Sequence, residues 1–349
     1  MPTHGPQLDT APAALLTGER ARPGLPSFSF VVPVRDDARR LGRCLQSIGA
    51  CRYPPERVEV IVADNGSEDG SPEVAAVAGA RVLSLPGLRV ARLRNEAARV
   101  AQGDVLAFVD ADHELDAGWL EAAAEALGSD RTAAAGAPYS SPPGGTWVQR
   151  VYAGFRTHVP GRVETDWLAS GNLAIWRTRF AEIGGFDESL ETCEDVDLCQ
   201  RLRRAGLRVV SDAGMRSVHL GDPATLRGLF LSELWRGRDN LRASLRGRLA
   251  LRDLPSILIP VAQLALLALA VVALLLTPWR STFGPGVAAL AAIVGLSGLR
   301  AARLFIRLPE RSITDGARAY AVALVYDLAR ALALVARPGH ALRRRADRR

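Results

Sequence analysis

The chain contains no lysine, so all 44 of its basic side chains are arginines, and with 37 acids they leave a net charge of +7. All-arginine usage fits a GC-rich bacterial genome. A basic excess suits either nucleic acid or an anionic membrane surface. The arginines concentrate beside apolar runs in the last third of the chain, which favours the membrane and leaves no role for nucleic acid. Cysteine is scarce as well. Cys44, Cys51, Cys193 and Cys199 lack zinc-ligand spacing, and no secretory signal precedes them. They fit free thiols in a reducing cytosolic compartment. A glycine-rich phosphate loop is also missing after the first predicted strand. Arg35-Asp36-Asp37 stands there instead, which argues against a nucleotidyltransferase.

What is present divides into regions. At 349 residues the chain exceeds one typical domain. Residues 1–26 are rich in Pro, Gly and Ala without periodicity and read as a disordered leader. Residues 27–222 read as one α/β domain. Strands are predicted at 27–34, 58–63, 80–85, 105–109, 170–176 and 207–210. Helical patterns fall between them, at 72–78, 89–101 and 194–205 among others. Strands and helices alternating at this pitch argue for a parallel sheet. Ligands bind such sheets beyond the carboxyl ends of the strands. Two acid-rich turns sit at those ends, one at Asp64-Asn65-Gly66-Ser67-Glu68-Asp69-Gly70 and one at Asp110-Ala111-Asp112. In an extended chain, one spacer residue points Asp110 and Asp112 to the same side. Hard oxygens at that spacing suit Mg²⁺ or Mn²⁺ carrying a diphosphate, although an acidic loop after a strand gives the same pattern. Residues 139–166 read as a mobile acceptor-side region. Glu194-Asp195-Val196-Asp197 opens a helix that stops at Gly206. The helix dipole favours acids in a first turn, and Asp197 is expected to cap this one.

Residues 223–255 interleave arginines with Leu229, Phe230, Leu234, Trp235, Leu241 and Leu245, a pattern that suits either a bilayer interface or a helix packed on the soluble domain. Within 256–310, two apolar runs predict transmembrane helices at 256–277 and 286–299. Trp279 is an expected interfacial anchor, and Arg280 is the one charge in the link. Arg300, Arg303 and Arg307 close the second run, so the basic bias places both flanks in the cytoplasm. Within 311–349, Asp315, Arg318, Asp327 and Arg330 fall on one half of a helical wheel, and Leu324, Leu328, Leu332 and Val335 on the other. This predicts an amphipathic helix lying in the interface, followed by the basic tail Arg343-Arg344-Arg345.

Several elements recur in a known order between about residues 28 and 222. They are Val32-Pro33-Val34, Asp64-Asn65-Gly66-Ser67 with Asp69-Gly70, Arg94-Asn95, Asp110-Ala111-Asp112, and Gly184-Gly185-Phe186-Asp187 followed by Glu194-Asp195-Val196-Asp197 and Arg201-Leu202. The ordered set resembles the family 2 glycosyltransferases. The resemblance implies an α/β, GT-A fold, Rossmann-like with a mostly parallel sheet, followed here by transmembrane and interfacial helices. It implies a nucleotide-sugar donor, UDP- or GDP-linked, and a Mn²⁺ or Mg²⁺ cofactor. Asp64 would meet the base, with an Asx-turn cap as its alternative role. Pro33, Val34 and Arg35 would line the same pocket, and Asn65, Arg94, Asn95 and Ala111 would complete the donor site. Asp110 would reach the ribose or the metal, and Asp112 would bind the metal directly. His219 would be a third ligand or a structural histidine. Asp195 would be the general base, with Glu194 as second candidate, and the anomeric centre would invert. Trp235-Arg236 lacks the preceding glutamine of the processive members, which implies transfer of a single sugar. The expected partners are a lipid-linked or glycan acceptor and membrane lipids. The expected place is the bacterial inner membrane, with the catalytic domain in the cytoplasm. A non-catalytic assembly protein with a degenerate transferase domain is the competing class, besides the nucleotidyltransferase.

Overall fold

The computed structural model describes residues 24–129, 131–156, 158–246, 254–276, 284–308 and 311–336. Most of the expected leader, the link holding Trp279 and Arg280, and the tail holding Arg343 to Arg345 lie outside the described residues.

The chain opens with β1 (Phe28–Val34) and α1 (Ala38–Gly49), followed by β2 (Val58–Asp64), α2 (Ser71–Val77) and β3 (Arg81–Ser84). Next come α3 (Val90–Val100), β4 (Val105–Val109), β5 (His113–Leu115), α4 (Trp119–Leu127) and β6 (Thr132–Gly136). The central strands are apolar on both faces because helices cover both. Phe28, Phe30, Val32 and Val34 of β1 pack with Leu41, Cys44, Leu45 and Ile48 of α1 and Trp119 of α4. Val31 points the other way, into a second core with Ala91, Leu93, Ala97, Leu106 and Phe108. Such continuous apolar runs mark strands buried on both sides.

The stretch 139–166, read as mobile from its composition, includes regular structure. It contains α5 (Trp147–Ala153) and β7 (Arg162–Glu164). A reciprocal capping box between Thr146 and Gln149 starts α5. The domain continues through β8 (Asn172–Trp176), α6 (Arg177–Glu182), α7 (Glu194–Arg204), β9 (Arg208–Asp212) and β10 (Ser217–His219). The main sheet has the order β3-β2-β1-β4-β8-β6-β9-β7. β3, β2, β1 and β4 are parallel neighbours, whereas β8 runs antiparallel to both β4 and β6. The antiparallel β5 and β10 form a small second sheet that sets His113 opposite His219.

Asn172 fixes the junction of these parts. It is fully buried; its Oδ1 accepts from Trp119 Nε1 at 2.6 Å, and its Nδ2 donates to the carbonyls of Ala137 and Met215, each at 2.9 Å.

The C-terminal third holds α8 (Leu226–Arg236), α9 (Asn240–Arg246), α10 (Leu254–Leu276), α11 (Gly284–Arg307) and α12 (Ile313–Ala333). α10 and α11 are long and apolar enough to cross a membrane, and only 11% and 28% of their apolar windows are buried. A core helix of a soluble fold would be mostly covered. Pro260 lies inside α10 and has no N–H to give the Ser256 carbonyl, to which Asn240 Nδ2 donates at 3.3 Å instead.

Two expectations change here. α8 packs into the fold: Leu229 joins a core with Val148, Val151, Val322 and Ala323, and Glu233 is completely buried. The helical wheel separated the charges of α12 from its leucines, but part of the charged side faces protein. Asp327 is 1% exposed and accepts from Arg300 Nε at 2.6 Å and Ser297 Oγ at 3.1 Å. Arg330 Nε reaches Glu233 at 2.7 Å. Opposite charges on neighbouring helices turned that side inward, and Val335 is left 65% exposed.

Asn172→Ala is expected to lower stability by about 2–3 kcal/mol, because it strands buried polar groups on three segments. Thermal unfolding of the purified chain in detergent checks this, with a drop in midpoint of roughly 5–10 °C.

Candidate functional site

A large cavity lies along the carboxyl edge of the sheet. Its volume is ≈ 2980 Å³, and its walls run from Pro33, Val34 and Arg35 past Arg94, Asp110, Asp112, Glu194, Asp195 and His219 to Arg300 and Arg330. One small ligand needs about 300–1,000 Å³, so this space holds more than one molecule.

Arg94 organises the deepest part. It projects from α3 with its side chain 3% exposed. Nη2 contacts Asp110 Oδ1 at 2.6 Å, and Nη1 contacts Glu194 Oε1 at 2.7 Å. One guanidinium fork thus ties the end of β4 to the start of α7. Glu194 is buried and also accepts from Ser170 Oγ at 3.2 Å, through the same Oε1 that meets Arg94. Asp195 differs. It takes only local amides, Ser170 N at 3.2 Å and its neighbour Val196 N at 2.8 Å, and it lines the cavity. Burial, then the adjacent Glu194 charge, pushes Asp195 up to about 7. Asp197 does not cap α7; it pairs with Arg201 at 2.8 Å, and Cys193 in a left-handed conformation precedes the helix.

The expected metal ligands are Asp110, Asp112 and His219, and the structure adds His113 beside them. Asp112, His113 and His219 bring their ligand atoms within 4.8 Å of one another, whereas Asp110 is held by Arg94. His113 went unnoticed in the sequence although it directly follows the acidic triplet. The signal that identifies it is its cross-strand register with His219. His219 Nε2 lies 3.1 Å from Asp112 Oδ2, and its Nδ1 lies 2.7 Å from Asp222 Oδ1, a carboxylate–histidine pair that orients the ring. His113 Nδ1 faces Ser217 Oγ at 3.2 Å. Burial resists a charge on His219, but Asp112 and Asp222 outweigh it and push the ring up to about 10. Burial and the neighbouring His219 bring His113 down to about 4. Two glycines make room for the cluster. A Cβ on Gly171 would meet Asp110 Oδ2 at 2.7 Å and His113 Nε2 at 3.1 Å, and one on Gly221 would collide with Asp112. The donor set and this space fit a divalent cation.

The remaining expected residues fall into two groups. Pro33, Val34, Arg35, Asn65 and Ala111 line the cavity, with Arg35 exposed. Asp64 and Asn95 turn to structural work. Asp64 is 3% exposed and accepts from the amides of Gly66 and Ser67 at 3.1 and 3.2 Å, which makes it an Asx-turn cap. Asn95 holds Phe186 through N–H and C=O bonds at 3.0 and 2.9 Å. Asn65 also clamps Leu88 through both backbone groups, at 3.0 and 3.1 Å. Arg40 was missed: it lines the cavity from α1 with Nη1 3.6 Å from Asp112.

Arg94→Ala is expected to cost about 3–5 kcal/mol, because Glu194 keeps a buried charge without its partner. Arg94→Lys, which keeps the charge but loses the fork, should fall between it and the unaltered chain in thermal unfolding.

Comparison with known proteins follows the same residues. The family model described as Glycosyl transferase family 2 matches residues 29–185. Glycosyltransferase AglE of Haloferax volcanii is 26% identical over 238 residues, covering 65% of this chain and 77% of that protein. The N-acetylglucosaminyl-diphospho-decaprenol L-rhamnosyltransferase of Mycobacterium tuberculosis is 27% identical over 269 residues, 61% of this chain and 87% of that one. In two other relatives the chain spans 44% and 17% of their length. Among solved structures, a mannosyltransferase from Pyrobaculum calidifontis in complex with GDP-Man and Mn²⁺ shares the fold. Its TM-score is 0.54 at 20% identity, over 86% of both chains.

Proposed function

The chain belongs to the family 2 glycosyltransferases, and from that premise we propose that it moves one sugar from a nucleotide-diphosphate donor to a lipid-linked acceptor at a membrane surface. The observation that carries this reading is the division of labour along one cavity. Asp112, His113 and His219 form a cation cluster, and Asp195 is a separate carboxylate with room in front of it.

The base and ribose of the donor would rest on the wall formed by Pro33, Val34, Arg35, Asn65 and Ala111, which places UDP- or GDP-linked sugars on the parallel half of the sheet. Asp112, His113 and His219 would hold the cation. Two imidazoles and a carboxylate suit Mn²⁺ better than the all-oxygen shell that Mg²⁺ prefers, and the mannosyltransferase neighbour carries Mn²⁺. When bound, the cation neutralises charge on the departing diphosphate. Arg40 adds a guanidinium beside Asp112 for the same charge. Asp110 pairs with Arg94 through Oδ1, and its Oδ2, which shares the space over Gly171 with His113 Nε2, would be a further ligand for the cation.

Asp195 receives the proton of the acceptor hydroxyl as that oxygen attacks the anomeric carbon; with a phosphate acceptor it orients the oxygen instead. A pKa near 7 matches a base working at neutral pH. Glu194 meets Arg94 and Ser170 through Oε1, whereas Asp195 accepts only from backbone amides, which supports Asp195 over Glu194 for the role. A single displacement follows, with inversion at carbon 1. The exposed apolar faces of α10 and α11 anchor the chain, and the name of the rhamnosyltransferase relative carries a diphospho-decaprenol acceptor. Anchoring in a bacterial inner membrane with the site on the cytoplasmic face completes the reading, since Arg300, Arg303 and Arg307 flank the end of α11 nearest the cavity.

A panel of nucleotide sugars, supplied with Mn²⁺ and membrane lipids and followed by mass detection of products, tests this reading. One donor should be consumed and one sugar added to a lipid species; no turnover of any donor would sink the reading. Asp195→Asn is expected to lower transfer by roughly 10²–10⁴-fold while donor affinity holds. Asp112→Ala should weaken both. Because the base acts deprotonated, kcat/KM should rise with pH up to about 7 and then level, and a rate flat from pH 5 to 9 would remove Asp195 from that role.

A further inference from the structure

The part of the cavity lined by the C-terminal helices has its own charge pattern. Arg236, Arg300, Arg303 and Arg330 line it, together with Tyr326 and the apolar side chains Leu258, Ile259, Pro260, Leu296 and Leu299. Behind these arginines stand two carboxylates. Glu233 Oε1 accepts from Tyr152 at 2.6 Å and from Arg236 at 3.2 Å, and its Oε2 accepts from Arg330 at 2.7 Å. Asp327 accepts from Arg300 Nε at 2.6 Å. Arg303 has no partner among the described residues. Glu191 and Arg238, nearby, pair with each other at 2.6 Å and add no net charge. Four guanidiniums against Glu233 and Asp327 leave an excess of two positive charges at the wall of a cavity.

Each carboxylate also leaves part of its arginine fork unused. Arg300 is bound through Nε, and Arg330 through Nε with a long 3.5 Å contact from Nη1 to the Arg236 carbonyl. Tyr326 stacks on Phe155 at 4.4 Å and lies under the guanidinium of Arg300 at 4.8 Å, which holds that fork in place. Guanidinium N–H pairs suit phosphate oxygens. Beyond the arginines the wall turns apolar and reaches the outer surface, where Leu258 is 56% and Leu299 68% exposed.

We propose that Arg236, Arg300, Arg303 and Arg330 form a second binding site, for the phosphate or diphosphate head of a lipid whose apolar tail leaves along Leu258, Ile259, Pro260, Leu296 and Leu299. The site rests on the transferase reading and extends it: it assigns the acceptor a phosphate-bearing, membrane-resident head and fixes the direction from which it enters. A phosphate dianion matches the excess of two positive charges. The same arginines would also attract inorganic phosphate or a released nucleotide, so the source of the phosphate has to be tested as well.

The full chain in lipid nanodiscs, titrated with geranylgeranyl phosphate, geranylgeraniol and inorganic phosphate, separates these cases. The lipid phosphate should bind at least tenfold more tightly than the neutral alcohol. Inorganic phosphate should not displace it at comparable concentration. Arg303→Gln, at an exposed position without a partner whose loss would disturb the fold, should weaken lipid-phosphate binding roughly tenfold, about one charge-assisted hydrogen bond. Arg300→Gln should do the same, with thermal unfolding recorded beside it because Asp327 loses its pair. Equal affinity for phosphate lipid and alcohol, displacement by inorganic phosphate at matched concentration, or unchanged binding in both variants would overturn the proposal. Donor consumption by the unaltered chain in the same discs reports on the transferase reading alone. A chain that consumes donor but ignores the lipid phosphate refutes this site and leaves that reading standing.

Discussion

The site depends on one buried guanidinium that serves two carboxylates from different parts of the chain. Arg94 sits on α3, Asp110 follows β4, and Glu194 begins α7, a hundred positions farther along. None of the three is stable in that place alone, because an isolated charge in a protein interior carries a large desolvation cost. Together they fix the mouth of the central strand against the helix that carries Asp195. The same pairing sorts the acids by availability. Asp110 and Glu194 each give an oxygen to Arg94, and in the proposed mechanism Asp112 serves the cation and Asp195 the acceptor. Burial first, and the adjacent Glu194 charge second, raise the proton affinity of Asp195.

A second ionic knot continues this logic toward the membrane-facing helices. Glu233 on α8 is shared by Tyr152 of α5, Arg236 of its own helix and Arg330 of α12. Asp327 draws in Arg300 of α11 and, through Ser297, Gln263 of α10 at 3.2 Å. The soluble domain and the apolar helices are thereby joined through polar contacts that line or flank one continuous cavity. These contacts connect the wall around Arg236, Arg300 and Arg330 to the α/β domain.

Much of this was legible in the sequence, for identifiable reasons. The apolar runs of β1, β2 and β4 are short, continuous and followed by acids, and helices cover both faces of their sheet. That is why the sheet edge and the Asp110-Ala111-Asp112 triplet stood out. Asp195 and Glu194 were legible as a pair. The resemblance ranked Asp195 ahead of Glu194, and the Arg94–Glu194 contact, which a distant helix brings, supplies a physical reason for that order. His113 stayed hidden because its meaning comes from the β5–β10 register, which local pattern does not reveal. Asp64 accepts from Gly66 and Ser67, the Asx turn that its motif also suggested, and Asn95 holds the backbone of Phe186. The helical wheel of α12 gave the right separation of charge and the wrong surroundings, since a period says nothing about which neighbour carries the opposite sign.

The central claim is that Asp195 acts as a base in one direct displacement within this cavity. The anomeric configuration of the product tests it most directly. A donor of known configuration is turned over, and the one-bond and vicinal couplings at carbon 1 of the purified product are read by NMR. The account predicts inversion at that carbon. Retention would require a second displacement or front-side attack, and would contradict the role given to Asp195 and the arrangement of acids around it.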